Sequence, residues 1–339
     1  MNPICTVCGN ERQSKTLSYK CKCGGIYRYV PDFKYHEGPY TDHFPYLDEV
    51  VSIGETITPL VDLGSAYLKL EYFSPTFSYK DRGTKALISF LKSRLPQGAR
   101  INEDSSGNAG ASISAYGAAA GFDVNIFVPE KTVPAKIKQI ELYGAEIHRI
   151  PGSREDVSRA AEEADGFLSS HVYNPEFRDG MREISYEIFR QAEKLPDYIF
   201  IPVSAGTLLL GVISGFQHLL DSGEISSLPG FVAVQTEAVK PLCARMNNLK
   251  FDPKATEPSI ADALVSREPP LLDLMVGAMK DRGKCITVSE DEIVQARQEL
   301  AGKGILVEYS SATVFAAYKK FRGDGKSLLI MTGNGLKNL

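Results

Sequence analysis

The first residue that could do covalent chemistry is a lysine after a proline-containing turn. The segment Ser74-Pro75-Thr76-Phe77-Ser78-Tyr79-Lys80-Asp81-Arg82-Gly83 sets Lys80 just ahead of a helix expected to open around Gly83. Held near helix-end donors and away from water, such an amine is neutral often enough to attack a carbonyl. Left in water, it is an ordinary charged surface group. Glu103-Asp104-Ser105-Ser106-Gly107-Asn108-Ala109-Gly110-Ala111-Ser112 then follows the strand expected around Ile101 and leads into an alanine-rich helix. Small residues at a helix N-terminus expose backbone N–H groups that can hold a carboxylate or phosphate, and Asn108 can also donate to a ring oxygen. A plain strand-to-helix turn has the same composition.

A second turn of this kind, Val203-Ser204-Ala205-Gly206-Thr207-Leu208, follows the apolar stretch 198–202. The hydroxyls of Ser204 and Thr207 and the Gly206 amide suit a phosphate monoester, although short Gly/Ser/Thr turns are common. The chain closes with Leu328-Leu329-Ile330-Met331-Thr332-Gly333-Asn334-Gly335-Leu336-Lys337, an apolar run into a polar, glycine-rich end. Termini usually fray, so a strand and turn this late predict that the end is docked.

Four of the six cysteines fall in the first 23 residues, as Cys5-x2-Cys8-Gly9 and Cys21-x-Cys23-Gly24-Gly25, while Cys243 and Cys285 stand alone. Paired thiolates followed by glycine resemble the knuckles of a zinc ribbon, and Cys5, Cys8, Cys21 and Cys23 would close a tetrahedral structural site. The second pair has one intervening residue where two are usual, and unmetallated thiols are the alternative. Clustering of this kind points to metal in a reducing compartment.

These groups need a scaffold. Apolar, β-rich runs at 67–71, 100–103, 124–128, 146–150, 198–203, 231–235, 285–288 and 327–331 alternate with helical patterns at 84–95, 111–120, 135–143, 154–164 and 291–303. Such alternation predicts parallel sheets covered on both faces by helices, with ligands at the carboxyl ends of the strands. Residues 1–30 read as the zinc-ribbon-like segment, 31–49 as a linker or arm rich in Pro, Tyr and His, and 50–339 as the main region.

At 339 residues, 43% hydrophobic and 24% charged, the chain can bury a sizeable core. Its net charge of −4 argues against nucleic-acid binding. The opening residues lack the pattern of a signal peptide, and no run of roughly 20 apolar residues would span a bilayer, so a cytoplasmic protein without membrane contact is expected.

In this order, the four segments resemble the fold-type II pyridoxal phosphate (PLP) enzymes, the tryptophan synthase β-subunit superfamily, and within it the threonine synthases. The likeness runs from about Ile57 to the C-terminus. In threonine synthases the lysine motif reads PTGSFKDRG, and Pro75, Thr76, Ser78, Lys80, Asp81, Arg82 and Gly83 match it. Phe77 stands where glycine is usual, Tyr79 where Phe is usual, and Ala109 where Thr commonly follows the asparagine. Gly54-Glu55-Thr56-Ile57-Thr58-Pro59-Leu60 is loosely similar to GEGNTPL.

The resemblance implies an α/β fold of two three-layer α/β/α lobes around a cofactor cleft, with a smaller lobe inserted at about 84–173. It makes Lys80 the cofactor's lysine and Asn108 the donor to its phenolic oxygen. Ser204, Ala205, Gly206, Thr207 and Leu208 would hold its phosphate, and Thr332 would meet the pyridine nitrogen. A neutral hydroxyl there tempers the ring as an electron sink, which suits β- and γ-chemistry. Ser105 and Ser106 would bind the substrate. Asn174-Pro175-Glu176-Phe177-Arg178 resembles the family's Asn-Pro-x-Arg segment with one extra residue, making Arg178 the phosphate-clamp candidate ahead of Lys136 and Arg182. The implied activity is that of a carbon–oxygen lyase acting on phosphate, making L-threonine from O-phospho-L-homoserine in a homodimer. Elimination or β-replacement on serine, threonine or O-phosphoserine shares the fold. A binding or regulatory module on a retired scaffold is the reading outside enzymology.

Overall fold

A computed structural model describes residues 1–13, 16–132 and 134–338, side chains of 134–136 and 338 excepted. The chain packs as two compact units: Met1–Glu55 with Lys80–Met181, and Thr56–Tyr79 with Arg182–Leu339. All eight predicted strands form, and among the described residues no helix is long and apolar enough to cross a membrane.

The first unit holds a four-stranded parallel sheet in the order Glu146–Ile150, Asp123–Pro129, Arg100–Glu103, Phe167–Leu168. Helices Asn108–Ala120, Pro134–Leu142 and Arg154–Glu163 follow its strands and supply the crossover connections that parallel neighbours need. Arg154–Glu163 starts at a capping box in which Ser153 accepts from the Asp156 amide, and its Val157 and Ala161 pack on Phe127. Ahead of this sheet, Ile4–Cys5 pairs antiparallel with Tyr27–Arg28. Residues 31–49 are anchored at several points along a largely exposed stretch: Tyr35, His43 and Leu47 are buried, Phe44 is fully buried, Tyr46 stacks on Tyr29 at 4.2 Å, and Tyr46 meets Phe90 edge-on.

The second unit is built on a six-stranded sheet in the order Gly283–Val288, Gly230–Thr236, Tyr198–Pro202, Ser327–Met331, Ala66–Leu70, Leu60–Asp62. All neighbours run parallel except the last pair. Phe200, Val232, Leu329 and Met331 on its strands meet Val314 and Ala317 on the helix Tyr309–Lys320 in one core. On the strand Ala66–Leu70, fully buried Lys69 donates to the Thr58 carbonyl, to Glu187 Oε2 at 2.6 Å and to Gln191 Oε1 at 2.7 Å. A charge that deep is tolerated only when paired and hydrogen-bonded.

Two features depart from the sequence reading. Cys243 and Cys285, expected to stand alone, are bonded to each other across a Cα separation of 5.0 Å, joining the helix Pro241–Asn247 to the strand Gly283–Val288. The helix expected from residue 84 begins at Lys80 and runs to Lys92. Gly83 is therefore inside it, and the reason is contact: a Cβ there would lie 2.5 Å from the Phe177 carbonyl oxygen and 2.6 Å from its ring. Gly180 on the crossing helix Pro175–Gly180 approaches Arg82 and Ala86 equally closely. Glycine lowers helix propensity by up to about 1 kcal/mol, and here that loss permits the close crossing.

Gly83→Ala should lower unfolding stability by about 1–3 kcal/mol, read as a lower urea midpoint with unchanged m-value, since neither backbone can yield without moving a helix.

Candidate functional site

The residues singled out from the sequence fall into two groups, one in each unit. In the first unit, Lys80 opens its helix half-buried, with Nζ 5.7 Å from the centre of the Phe177 ring. The next residue, Asp81, is buried and accepts from Ser112 Oγ at 2.6 Å; that hydroxyl also lies 2.7 Å from Thr84 Oγ1. Ser112 belongs to the helix Asn108–Ala120, so the first turns of the two helices are tied at their buried faces. Gly107 caps the second helix, and Gly110 leaves no room for a Cβ under the Ser105 carbonyl. Ser105, Ser106 and Asn108 thus sit on a tight turn at the N-terminus of a 13-residue helix. Its leading amides and the helix dipole favour an anion there.

Two neighbouring residues escaped the sequence reading. Glu103, fully buried at the end of its strand, receives His171 Nδ1 at 2.7 Å and the His171 backbone N–H at 3.1 Å. Burial raises the Glu103 carboxyl from 4.5 to about 7, against the opposing pull of the His171 amide, Arg154 and Lys80. An acid raised in this way supports the fold fully below 4.5 and loses that support as pH climbs through about 7. Burial, aided by Lys80, drives His171 well below the ordinary histidine value. A carboxylate closing the short strand Arg100–Glu103, directly ahead of the Ser105–Asn108 turn, was the available signal; His171 comes from a distant segment that nothing in the sequence links to it.

Arg178 has a different occupation from the one its motif suggested. It is buried and donates to the carbonyl of Tyr27, with a longer bond to the Val172 carbonyl at 3.5 Å, and burial pushes its guanidinium down to about 10. Arg182 is fully buried and donates to Tyr186 Oη at 2.7 Å, which in turn meets His218. The side chain of Lys136 lies outside the described residues.

In the second unit, Gly206 adopts a left-handed backbone (φ 97°) and caps the 16-residue helix Thr207–Ser222. A side chain at Gly206 would collide with Met275, so only glycine allows this turn. Ser204 Oγ accepts from the Ser266 amide at 3.2 Å, Ala205 is half-buried, and Thr207 and Leu208 are buried in the first helical turn. Hydroxyls and leading amides at the positive end of a long helix form a donor set for a phosphate.

Thr332 is fixed by Ser311. The amides of Thr332 and Gly333 donate to Ser311 Oγ at 2.9 and 2.8 Å, and the two hydroxyl oxygens are 2.8 Å apart. With both Ser311 lone pairs engaged, its proton goes to Thr332 Oγ1, and the Thr332 proton remains to be donated, as a ring nitrogen requires. The turn ahead of Lys80 is stapled to this end: Tyr79 N–H donates to the Thr332 carbonyl at 3.0 Å, Asn334 N–H to the Phe77 carbonyl at 3.1 Å, and Lys337 Nζ to the Thr76 carbonyl at 3.0 Å. Within it, Ser78 Oγ is buried with no partner among the described residues, an orphan polar atom that a bound group would satisfy. Donors, hydroxyls and orphan together fit PLP.

At the N-terminus, Cys5 and Cys23 sulfurs are 3.4 Å apart, Cys8 and Cys23 3.5 Å, and Cys8 and Cys21 3.7 Å. Four sulfurs around a tetrahedral zinc at about 2.3 Å stand roughly 3.8 Å from one another, so the cluster has the dimensions of that ion's ligand shell.

The family model described as pyridoxal-phosphate dependent enzyme matches residues 51–333. The chain belongs to that family. This pyridoxal-phosphate dependent enzyme is 28% identical to the threonine synthase of Methanocaldococcus jannaschii over 98% of its own length and 92% of the relative's. It is 29% identical to the threonine synthase of Halalkalibacterium halodurans over 88% of each. Among solved structures, a pyridoxal 5'-phosphate-dependent aspartate racemase superposes with a TM-score of 0.74 at 22% identity, covering 90% of this chain and 97% of that one. Such a likeness shows the fold, fold-type II, and leaves the reaction open.

Phe77 is half-exposed at 51% and has φ 65°, which explains why the family's motif usually places glycine there. A left-handed non-glycine residue costs roughly 1–2 kcal/mol, and glycine's extra chain entropy recovers part of that. Phe77→Gly should therefore raise stability by about 0.5–1 kcal/mol in a urea titration.

Proposed function

We propose that the protein is a PLP-dependent carbon–oxygen lyase of the threonine synthase type, converting O-phospho-L-homoserine and water into L-threonine and phosphate. The observation that carries the reading is the Asp81–Ser112–Thr84 tie, which fixes Lys80 against the turn bearing Ser105, Ser106 and Asn108. The names of the relatives, which cover nearly the whole chain, support the substrate.

When bound, PLP makes protons next to the substrate's amino-bearing carbon acidic by drawing off electrons. Lys80 Nζ carries the cofactor at rest and moves the α- and β-protons during turnover. The amides at the head of Asn108–Ala120, with Ser105 and Ser106, orient the substrate carboxylate, and Asn108 donates to the cofactor's phenolic oxygen. Ser204 to Leu208 hold its phosphate, and the Thr332 proton, oriented by Ser311, points to the ring nitrogen without charging it. Cys5, Cys8, Cys21 and Cys23 hold a structural zinc. The substrate is a small amino acid, the assembly a homodimer and the compartment the cytoplasm.

A second reading, elimination or β-replacement on a hydroxyamino acid or O-phosphoserine, is favoured by the buried bonding of Arg178 and Arg182, which leaves neither guanidinium for a substrate phosphate. Purified, PLP-loaded protein should release phosphate and L-threonine in equal amounts from O-phospho-L-homoserine, with products identified by mass spectrometry. Keto acid and ammonia from L-serine or L-threonine, without phosphate release, would establish the second reading instead. Lys80→Ala should abolish turnover and the visible absorption of the bound cofactor.

Elemental analysis should find one zinc per chain, lost in Cys8→Ser together with thermal stability. A metal-free protein of equal stability would overturn the zinc assignment.

A further inference from the structure

The Glu103–His171 pair lies in the same unit as Lys80 and has no part in the roles assigned above. Both carboxylate oxygens of Glu103 are taken by His171, one by Nδ1 and one by the backbone N–H, which fixes the ring's position and orientation. The opposite nitrogen, Nε2, meets no partner among the described residues, and the side chain is 14% exposed. Fully buried Phe177 stands beside both groups, with its ring centre 5.7 Å from Lys80 Nζ and 5.9 Å from the imidazole. Two residues beyond Glu103 begins the Ser105–Asn108 turn. A carboxylate-backed imidazole with one open nitrogen, beside the reactive lysine, has the form of an acid–base pair.

We propose that His171, held by Glu103, exchanges the proton of the oxygen that joins or leaves the substrate's β-carbon. The inference rests on Lys80 being the cofactor's lysine. It holds for threonine formation and for elimination from a hydroxyamino acid, because adding water at that carbon is the reverse of expelling hydroxide from it. As water adds, its oxygen forms the C–O bond and its proton passes to Nε2, while the Nδ1 proton moves to the Glu103 carboxylate. The pair goes from a charge of −1 to 0. In elimination the C–O bond breaks, its electrons stay on oxygen, and the same two protons run backwards.

The surroundings favour this one-proton traffic over an imidazolium. Lys80 and Arg154 are the cations facing the pair, Asp104 is the anion, itself bound by Arg154 at 3.0 Å, and Phe177 supplies the apolar side. With the carboxyl raised to about 7 and the imidazole held neutral, the pair as a whole gains and loses one proton near neutral pH.

Imidazole nitrogens can be followed by NMR in cofactor-free protein, where the inference does not depend on turnover. His171 should change between its two neutral tautomers in a single transition near pH 7, and Glu103→Gln should abolish that transition. An ordinary imidazolium titration in both proteins would overturn the proposal. In PLP-loaded protein, His171→Gln should keep the visible absorption and the exchange of the substrate α-proton into D2O, while net turnover falls about 100-fold or more and its pH limb near neutrality disappears. Unchanged turnover and pH profile in His171→Gln would also overturn it, and His171→Asn serves if the first variant is unstable. Missing absorption and missing α-exchange in the unmodified protein would instead remove Lys80 from its role, a failure distinct from that of the pair.

Discussion

The staple between the turn 74–79 and the chain's end is the constraint on which the chemistry depends. A strained residue, Phe77, is kept in a left-handed conformation because its carbonyl accepts from Asn334 while the neighbouring Tyr79 amide is claimed by Thr332. Backbone strain of this kind persists only where the surroundings over-determine it. The strand Ser327–Met331 lies between two parallel partners in the middle of the larger sheet. Thr332 and Gly333 are thereby buried and held at the end of a core strand, and Lys80 is the next residue after the stapled turn.

A second chain of dependence runs through the smaller unit. Buried Arg12 pairs with Glu176, whose Oε1 also accepts from Tyr29 at 2.9 Å, and Arg178 returns a bond to Tyr27. The cysteine-bearing segment thus braces the short helix that carries Phe177, the ring beside Lys80 and His171. The four thiols, though remote in sequence from Lys80, are connected to its surroundings by a buried ion pair and one helix. The arginine that the motif offered to a substrate serves that bracing.

How much of this could be read beforehand follows from the range of the forces involved. Strands such as Tyr198–Pro202 and Ser327–Met331 were legible because a strand buried on both faces is apolar throughout. The turns at Ser105–Asn108 and Ser204–Leu208 were legible because their chemistry is local. Strands of two or three residues, Phe167–Leu168 and Leu60–Asp62, carry too little pattern to be seen. The early start of the Lys80 helix was hidden because Gly83 looks like a boundary until the crossing helix supplies the reason for it. The Glu103–His171 pair and the Cys243–Cys285 bond join segments far apart in sequence, and no local rule announces such meetings.

That last bond sits uneasily beside the four thiols of the other unit. It closes 42 residues into a ring, which by loop entropy is worth about 4 kcal/mol, whereas Cys5, Cys8, Cys21 and Cys23 can serve a metal only as free thiolates. Oxidant that maintains the ring endangers the metal ligands, and reductant that protects the ligands opens the ring. The chain therefore asks opposite things of its surroundings in its two units, and a metal held at the proposed ligands would shield the thiolates and let both demands be met in one solution.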